Sequence, residues 1–341
     1  MIRFSKIIEK NSKEGPKKKA TKKEIRLRKT PIFDKDEPGE EKITLRDTSN
    51  DTGHYKKLSK LADQVQIWAQ NDDVIAISGI TSVLRPIIEK NLIDDLYHYL
   101  TFQAGEQALL AAHSIKVTLV SLKIGAGMGY DSSGLADLAT IAFLHDVGMY
   151  QISQGILNKR DTLSDKEFKE VQRHPEISAD ILSRSNGEYI WLADVALQVH
   201  ERADGSGYPF GLKQDQIHDY ASIIGLADMY SAMISDRPYR ERIEQNRAVR
   251  DIIDSAQEAF PTKVVKAFLN QISFFPLGSY VKLNDRSVAR VTSTHPGFPL
   301  KPTIEIIYDS LGSKLQKPRT VDLSQQILLY ITGSIDEKDI A

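Results

Sequence analysis

Apolar residues recur with the period of an α-helix through most of the chain. From Leu58 to Leu100 the apolar positions predict several helices, and the Arg85-Pro86 pair predicts a helix start or a break. The spacing of Ser164 and Glu167 is typical of a capping box that opens another helix. Further apolar helices are predicted at 106–123, 135–144, 190–199 and 217–233. The pattern therefore predicts a mainly α-helical fold.

The pattern changes after residue 275. Short segments rich in branched residues follow one another, separated by Asn-Asp, Pro-Gly and Leu-Gly breaks. The predicted strands are 280–283, 288–292, 303–308 and 327–332. They predict a small β-rich appendage at the C-terminal end.

These changes divide the chain into four predicted segments. Residues 1–53 form a flexible charged arm, because dense charge and few apolar residues leave too little surface to bury. Its basic half is either simply solvated or touches an acidic partner or anionic lipid. Residues 54–100 form a helical N-terminal region of unknown role, 101–275 the main domain and 276–341 the β-rich extension.

Composition excludes several kinds of protein. The 341 residues carry a formal net charge of -1, so no global charge favours a nucleic acid polymer as partner. Cysteine is absent, which excludes disulfides, thiolate metal sites and a cysteine nucleophile. No apolar run has the length of a transmembrane segment. We expect a cytoplasmic protein whose metal ligands, if any, are nitrogen and oxygen.

Six histidines and aspartates are predicted to sit on helices. Imidazole nitrogen suits iron or zinc, and carboxylate oxygen suits manganese or magnesium. A buried carboxylate is costly unless it has a partner or a metal. If the fold brings them together, they form a metal cluster: His113, His145, Asp146, His174, His200 and Asp228.

Each of these residues also has a purely structural interpretation. His113 is alternatively a hydrogen-bonded core residue, and Asp146 a residue that serves the end of a helix. The pair His174-Pro175 alternatively marks a helix irregularity, and Asp228 a carboxylate bonded to backbone. The remaining histidines lack such apolar surroundings and are predicted to lie at the surface: His54, His98, His218 and His295.

The combination of motifs resembles the HD-GYP family of HD metal-dependent phosphohydrolases. The resemblance covers roughly residues 105–275 and depends on the ordered set His145-Asp146-Val147-Gly148, His174-Pro175, His200 to Pro209, Ala227-Asp228 and Arg237-Pro238-Tyr239-Arg240. It implies a helical HD-type bundle that holds two or three metals, often iron or manganese. It also implies hydrolysis of the bacterial second messenger cyclic di-GMP to the linear dinucleotide or GMP.

The resemblance also assigns roles to residues. It places His113, His145, Asp146 and Asp228 at one metal, with Asp146, the catalytic residue, bridging to a second metal held by His174 and His200. Gly207, Tyr208 and Pro209 match the loop that shapes the substrate pocket. Arg237 and Arg240 match basic positions near the phosphates, where the guanidinium supplies a fixed fork of donors; alternatively they are a solvated pair after a helix.

Three positions depart from the family pattern. Val199 stands where the family has a histidine, so the second metal lacks a nitrogen ligand. Met149 replaces a lysine that would stabilise phosphate charge in the transition state, and losing such a group costs roughly a hundredfold or more in rate. Leu109 replaces the glutamate found in members with three metals. We therefore expect one or two metal ions.

Two functions of different classes follow from the sequence. The first is a metal-dependent phosphodiesterase acting on cyclic di-GMP, slowed by Val199 and Met149. The second is a catalytically impaired relative that binds cyclic di-GMP or a signalling protein partner, with a homodimer as one form of assembly. Hydrolysis of another nucleotide is a third, weaker alternative.

Overall fold

The computed structural model describes residues 51–102, 109–185, 187–235, 243–295, 297–335 and 340. The arm predicted for residues 1–53 lies outside the described residues except for its last three. Those three belong to the first described helix, which begins at Asp51. The helix therefore begins earlier than the apolar pattern indicates, because its first turn is polar.

As far as residue 271, the regular secondary structure of the described chain consists of helices. Three form the N-terminal region: α1 (Asp51–Asn71), α2 (Ile77–Glu89) and α3 (Ile93–Phe102). The rest are α4 (Leu109–Gly127), α5 (Ser132–Leu144), α6 (Gln154–Leu157), α7 (Asp165–Val171), α8 (His174–Ser183), α9 (Trp191–Ala196), α10 (Asp219–Met233), α11 (Gln245–Ala259) and α12 (Thr262–Gln271). A 3-10 helix, Val147–Gln151, follows α5 closely.

Helices α4, α5 and α10 form the centre of the bundle. Every residue from Leu138 to Leu144 in α5 is buried, and α10 buries most of its length. A helix that is apolar all round is stable only when neighbours cover it on every side. Here α4 packs against both α5 and α10, and α2 covers α5. The bundle thereby encloses the segments that carry the candidate ligands.

Local sequence signals have mixed outcomes in the helical region. Ser164 and Glu167 form the predicted capping box at the start of α7. Pro86 neither starts nor breaks a helix, since it lies inside α2, which continues because Leu84 and Ile87 are buried on its apolar face. The helix predicted at 190–199 is only α9, and turns follow it.

The C-terminal strands form one antiparallel sheet. The strands are β1 (Tyr280–Leu283), β2 (Val288–Ser293), β3 (Thr303–Tyr308), β4 (Lys314–Asp322) and β5 (Ile331–Ile335), in the order β4-β3-β2-β1-β5. Strand β4 was not predicted, because its charged residues and Pro318 hide it, and an edge strand tolerates both. The strand predicted at 327–332 is wrong in its bounds, since Ile327 and Leu328 precede β5 and face solvent.

The predicted fold class is confirmed: a helical bundle with a helical N-terminal region and a small β-rich C-terminal appendage. None of the described helices combines the length and apolar character that a membrane crossing requires.

The 3-10 helix touches the start of α8 at a position that only glycine allows. A Cβ atom on Gly148 would overlap the carbonyl oxygen of His174 and the amide nitrogen of Ser178. The amide of Gly148 also donates to Ser178 Oγ at 2.9 Å. This close approach brings the segment after α5 against the segment that carries His174.

Replacing Gly148 with alanine tests this contact. We expect Gly148→Ala to lower the free energy of unfolding by about 1–3 kcal/mol, because the added methyl group has no space. Gly187→Ala is the matched control, since nothing lies within 4 Å of a Cβ at Gly187. Denaturant unfolding measures both variants, and equal stability of the two would contradict the contact.

Candidate metal centre

The six candidate ligands come from five separate segments of the bundle, since His145 and Asp146 are neighbours in the chain. His113 lies in α4 and Asp228 in α10, while His174 is the first residue of α8. The other three lie at helix ends: His145 follows α5 directly, Asp146 precedes the 3-10 helix, and His200 stands in the turn after α9. The expectation that the ligands sit on helices is thus right for only half of them. Helix ends allow neighbouring side chains to turn toward one point.

The structure brings all six side chains together. One group contains His113, His145, Asp146 and Asp228, and a second contains Asp146, His174 and His200. Within each group the potential ligand atoms lie within 4.8 Å of one another. Asp146 belongs to both groups, which is the position that a bridging carboxylate would occupy. The roles of these residues as ligands stay predictions.

Asp146 is surrounded by imidazole nitrogens. Its Oδ1 atom lies 3.4 Å from His145 Nε2, 3.2 Å from His174 Nε2 and 3.7 Å from His200 Nε2. Asp228 Oδ1 lies 2.9 Å from His113 Nε2. The four imidazoles are buried, and the two carboxylates are only 11% and 15% exposed. Water therefore screens these groups poorly.

Backbone carbonyls fix the orientation of two imidazole rings. His145 Nδ1 lies 2.8 Å from the carbonyl oxygen of Ala142, and His174 Nδ1 lies 2.7 Å from that of Val171. A carbonyl only accepts, so each Nδ1 donates its proton to it, and the Nε2 atom of each ring faces the cluster. Metal-binding histidines are oriented in this way.

Several polar atoms of the cluster lack hydrogen-bond partners. His145 Nε2 and Asp146 Oδ1 are buried and form no hydrogen bond of acceptable geometry. The Nε2 atoms of His174 and His200 approach to 2.8 Å, a distance that two lone pairs sustain only when a positive charge lies on or between them. Unpaired buried acceptors are costly. A cation would satisfy all of these atoms at once.

The neighbouring histidines favour the charged form of both carboxylates in the cluster. Burial would raise the pKa of Asp146, but His145 and His174 outweigh it and hold the pKa well below its usual range. Burial opposes ionisation of Asp228 too, yet the hydrogen bond from His113 keeps its pKa low. Burial lowers the pKa of His200 to about 4, so its ring is neutral near pH 7. Anionic carboxylates and neutral imidazoles are the forms that bind metals.

The glycine-rich loop folds back onto the cluster. The ring of Tyr208 stacks on that of His200, with centroids 5.0 Å apart and planes 1° from parallel. A Cβ atom on Gly207 would overlap the backbone of His200 and Arg202, so only glycine permits the loop to approach so closely. Pro209 follows Tyr208 through a cis peptide bond. Arg237 and Arg240 lie outside the described residues.

Sequence reasoning did not assign a role to Glu201, which fixes this loop. Its carboxylate is 2% exposed and accepts hydrogen bonds from the backbone amides of Phe210, at 2.6 Å, and Leu212, at 2.9 Å. Burial raises the pKa of Glu201, and these hydrogen bonds oppose the rise. The sequence did contain a signal for this role, because Glu201 is a charged residue between an apolar helix and a glycine-rich loop.

Arg202 was also missed, and it supports the same turn. Its Nη1 donates to the carbonyls of Val199, at 3.2 Å, and Glu201, at 2.8 Å. Its guanidinium lies 4.8 Å from the centre of the Phe260 ring. A guanidinium that donates to two backbone carbonyls and lies over an aromatic ring holds the turn in place. These two carbonyls belong to the residues directly before and after His200, so the Arg202 bonds fix the backbone on both sides of His200.

Two of the apolar residues that depart from the family pattern, Val199 and Met149, are buried in the structure. Val199 is 1% exposed and belongs to the hydrophobic core, and Met149 is 9% exposed. The side chain of Leu109 lies outside the described residues. Val199 and Met149 therefore contribute packing where the family pattern has a histidine and a lysine.

The prediction that the four remaining histidines lie at the surface is wrong, since all four are partly buried. Both ring nitrogens of His98 are buried and lack a hydrogen-bond partner. His218 Nδ1 accepts from the amide of Tyr220 and caps α10. His295 Nε2 lies 2.9 Å from Thr303 Oγ1 and 3.3 Å from Asp322 Oδ1, within the sheet. His54 is partly buried.

The sequence of this chain matches two protein families and several curated proteins. Residues 98–264 match the HD domain family, and residues 280–341 match a KOW domain associated with HD domains. Cyclic di-GMP phosphodiesterase PdeB of Borreliella burgdorferi is 33% identical over 196 residues, which cover 57% of this chain and 51% of that protein.

Two further curated relatives carry similar names. A cyclic di-GMP phosphodiesterase of Pseudomonas aeruginosa is 32% identical over 209 residues, covering 61% of this chain and 50% of the relative. A cyclic di-GMP phosphodiesterase of Thermotoga maritima is 38% identical over 158 residues, covering 46% and 43%. The chain thus spans about half the length of the curated relatives it matches.

Replacing Glu201 with glutamine tests its hold on the loop. Glutamine offers one acceptor oxygen instead of two, so Glu201→Gln leaves one buried amide unpaired and is expected to cost about 1–3 kcal/mol of unfolding free energy. Glu188→Gln, at an exposed position, is the control. Thermal or denaturant unfolding of both variants measures the difference. If Glu201→Gln matched the control, the carboxylate would have no such role.

Proposed function

We propose that this chain, whose residues 98–264 match the HD domain family, is a metal-dependent phosphodiesterase of the HD-GYP type that hydrolyses cyclic di-GMP. The observation that carries the proposal is the unpaired Oδ1 of Asp146 among three imidazole nitrogens. The names of the curated relatives support cyclic di-GMP as the substrate. Since a nucleotide messenger is made and degraded inside the cell, we place the activity in the cytoplasm.

The donor set fits a divalent cation. Buried acceptor atoms without partners, anionic carboxylates and imidazoles whose Nδ1–H groups bond outward are the features of a metal site. We propose that His113, His145, Asp146 and Asp228 hold one ion, and that Asp146, His174 and His200 hold a second. When bound, such ions polarise phosphate oxygens and bring the pKa of a coordinated water toward neutrality. Iron and manganese are the metals that we propose.

The protein's own residues prepare the site for a charged substrate. Asp146 and Asp228 supply negative charge that a cation must neutralise before a phosphodiester can approach. The hydrogen bonds of His145 and His174 to backbone carbonyls prevent their rings from turning away. Because these side chains are held by the fold, little reorganisation is needed when charge develops on the phosphate.

The loop beside the cluster is the proposed substrate wall. The ring of Tyr208 lies against His200, and the backbone of the loop is tied to Glu201. We propose that Gly207, Tyr208 and Pro209 shape the pocket and that Arg237 and Arg240 bind phosphate oxygens. A cyclic dinucleotide carries two phosphates, so basic groups beyond the cluster add to its recognition.

The catalytically impaired relative is the second candidate function, and Val199 and Met149 favour it. Both are apolar and buried, so neither supplies a ligand or a cation. In that case the chain would bind cyclic di-GMP, or a signalling protein, without hydrolysing it. Measuring both the binding and the hydrolysis of cyclic di-GMP separates the two functions, because the impaired relative would bind the dinucleotide without hydrolysing it.

Metal analysis and hydrolysis test the proposal together. We expect the full chain, purified without oxygen, to carry at least one divalent metal and to hydrolyse cyclic di-GMP with iron or manganese supplied separately. Asp146→Ala should lose the metal and at least about a hundredfold in turnover, because it removes the shared carboxylate. Asp161→Ala, at an exposed position, is the control. Hydrolysis by a metal-free preparation that is correctly folded would contradict the proposal.

Restoring the family residues tests the effect of the departures. We expect Val199→His combined with Met149→Lys to raise turnover of cyclic di-GMP above that of the parent, because the pair returns a nitrogen ligand and a cation near the phosphate. Metal content should rise toward two ions. A double variant that binds two metals and is no faster would show that these positions do not limit catalysis. Met149→Lys alone serves if the buried histidine prevents folding.

A further inference from the structure

The C-terminal sheet is attached to the helices by one of its ends. The amide of Gly297 donates to the carbonyl of Asn270 at the end of α12, at 3.0 Å. The amide of Phe274 donates to the carbonyl of Pro299 at 3.1 Å. Asn246 Nδ2 in α11 donates to Ser334 Oγ in β5 at 2.6 Å. All these contacts involve the loop between β2 and β3 or the last part of β5.

Strand register defines what lies at the opposite end, which we call the distal end. Val288 pairs with Lys282 and with Tyr308, and Tyr308 pairs with Lys314. Leu283 pairs with Ile331 at the start of β5. The distal end therefore consists of the β1–β2 turn, the β3–β4 turn and the segment that enters β5. It points away from the contacts with α11 and α12.

Large apolar side chains protrude from the distal end. Leu311 in the β3–β4 turn is 90% exposed, and Ile327, Leu328 and Tyr330 before β5 are 92%, 85% and 57% exposed. Single exposed apolar residues are common on protein surfaces, but several at the tip of one element mark an interaction site.

Hydrogen bonds hold these residues in their exposed positions. Asn284 Nδ2 donates to the carbonyl of Leu328, and Asn284 Oδ1 accepts from the amide of Tyr330, both at 3.0 Å. Asp309 Oδ1 accepts from the amide of Leu311 at 2.9 Å. The backbone at these tips is thus fixed before any partner binds, so binding costs little conformational entropy.

Basic side chains surround the apolar tips. Lys282, Arg286 and Lys314 lie at the distal end and are exposed. The acidic residues of the same turns, Asp285 and Asp309, accept backbone amide hydrogen bonds within their turns. Exposed Lys317 and Arg319 extend the basic character along the outer strand β4. These five basic side chains outnumber the two carboxylates, which favours an anionic partner.

We propose that the distal end binds an anionic lipid surface, with Leu311, Ile327 and Leu328 inserted among the lipids. Protruding aliphatic tips insert readily into the boundary between headgroups and acyl chains, whereas a protein partner is usually met by a flatter, closely fitting surface. Basic residues next to the tips are drawn to anionic headgroups. This surface would hold the protein at a membrane without crossing it.

Vesicle sedimentation of the full chain tests this inference. We expect binding to vesicles of phosphatidylcholine with phosphatidylglycerol, weaker binding to phosphatidylcholine alone, and a decrease with added salt. Ile327→Asp combined with Leu328→Asp should lower the partition coefficient at least about tenfold, because burial of two large apolar side chains is lost. Ile190→Asp is the matched control: Ile190 is 55% exposed but lies before α9, and its change should leave binding nearly unaltered.

Several outcomes would overturn the inference. They are absence of binding to the anionic vesicles, equal loss of binding in the Ile190→Asp control, or a dimer that the Ile327 and Leu328 changes dissociate without any vesicle binding. If the double variant does not fold, Leu311→Asp decides in its place. As a direct readout, Leu328→Trp fluorescence should be quenched by brominated lipids, and no quenching would also overturn the inference.

Discussion

A charged carboxylate enclosed by imidazoles is the constraint on which the site depends. Asp146 lies within 3.7 Å of three imidazole nitrogens, and the fold leaves its Oδ1 without a hydrogen bond. In a poorly screened interior such an arrangement is costly for the protein alone. It becomes favourable when a cation occupies the centre, so the folded chain has an arrangement that metal binding would stabilise.

The rest of the bundle brings five distant segments of the chain to this point. Close backbone approaches at Gly148 and Gly207 bring chain segments together at distances that side chains would prevent. Glu201 and Arg202 then fix the turn that carries His200, through hydrogen bonds to backbone rather than through contact with the cluster. The geometry of the site thus depends on residues outside the set of candidate metal ligands.

Much of this arrangement could be predicted from the sequence, and the failures have physical reasons. The buried helix α5 and the cluster around Asp146 were predictable, because polar groups in apolar surroundings are rare. Strand β4 was hidden because an edge strand needs no alternating apolar face. Pro86 lies inside a helix because tertiary burial outweighed its local cost. The burial of His98 depends on long-range packing, which no local pattern reports.

Anomalous diffraction from crystals grown with manganese shows whether a cation binds beside Asp146. We expect a strong anomalous peak in one or both of the two groups, about 2 Å from Asp146 Oδ1 and from the Nε2 atoms of the imidazoles of that group. A cluster that showed no such peak, with its carboxylates bonded only to water and protonated histidines, would contradict it.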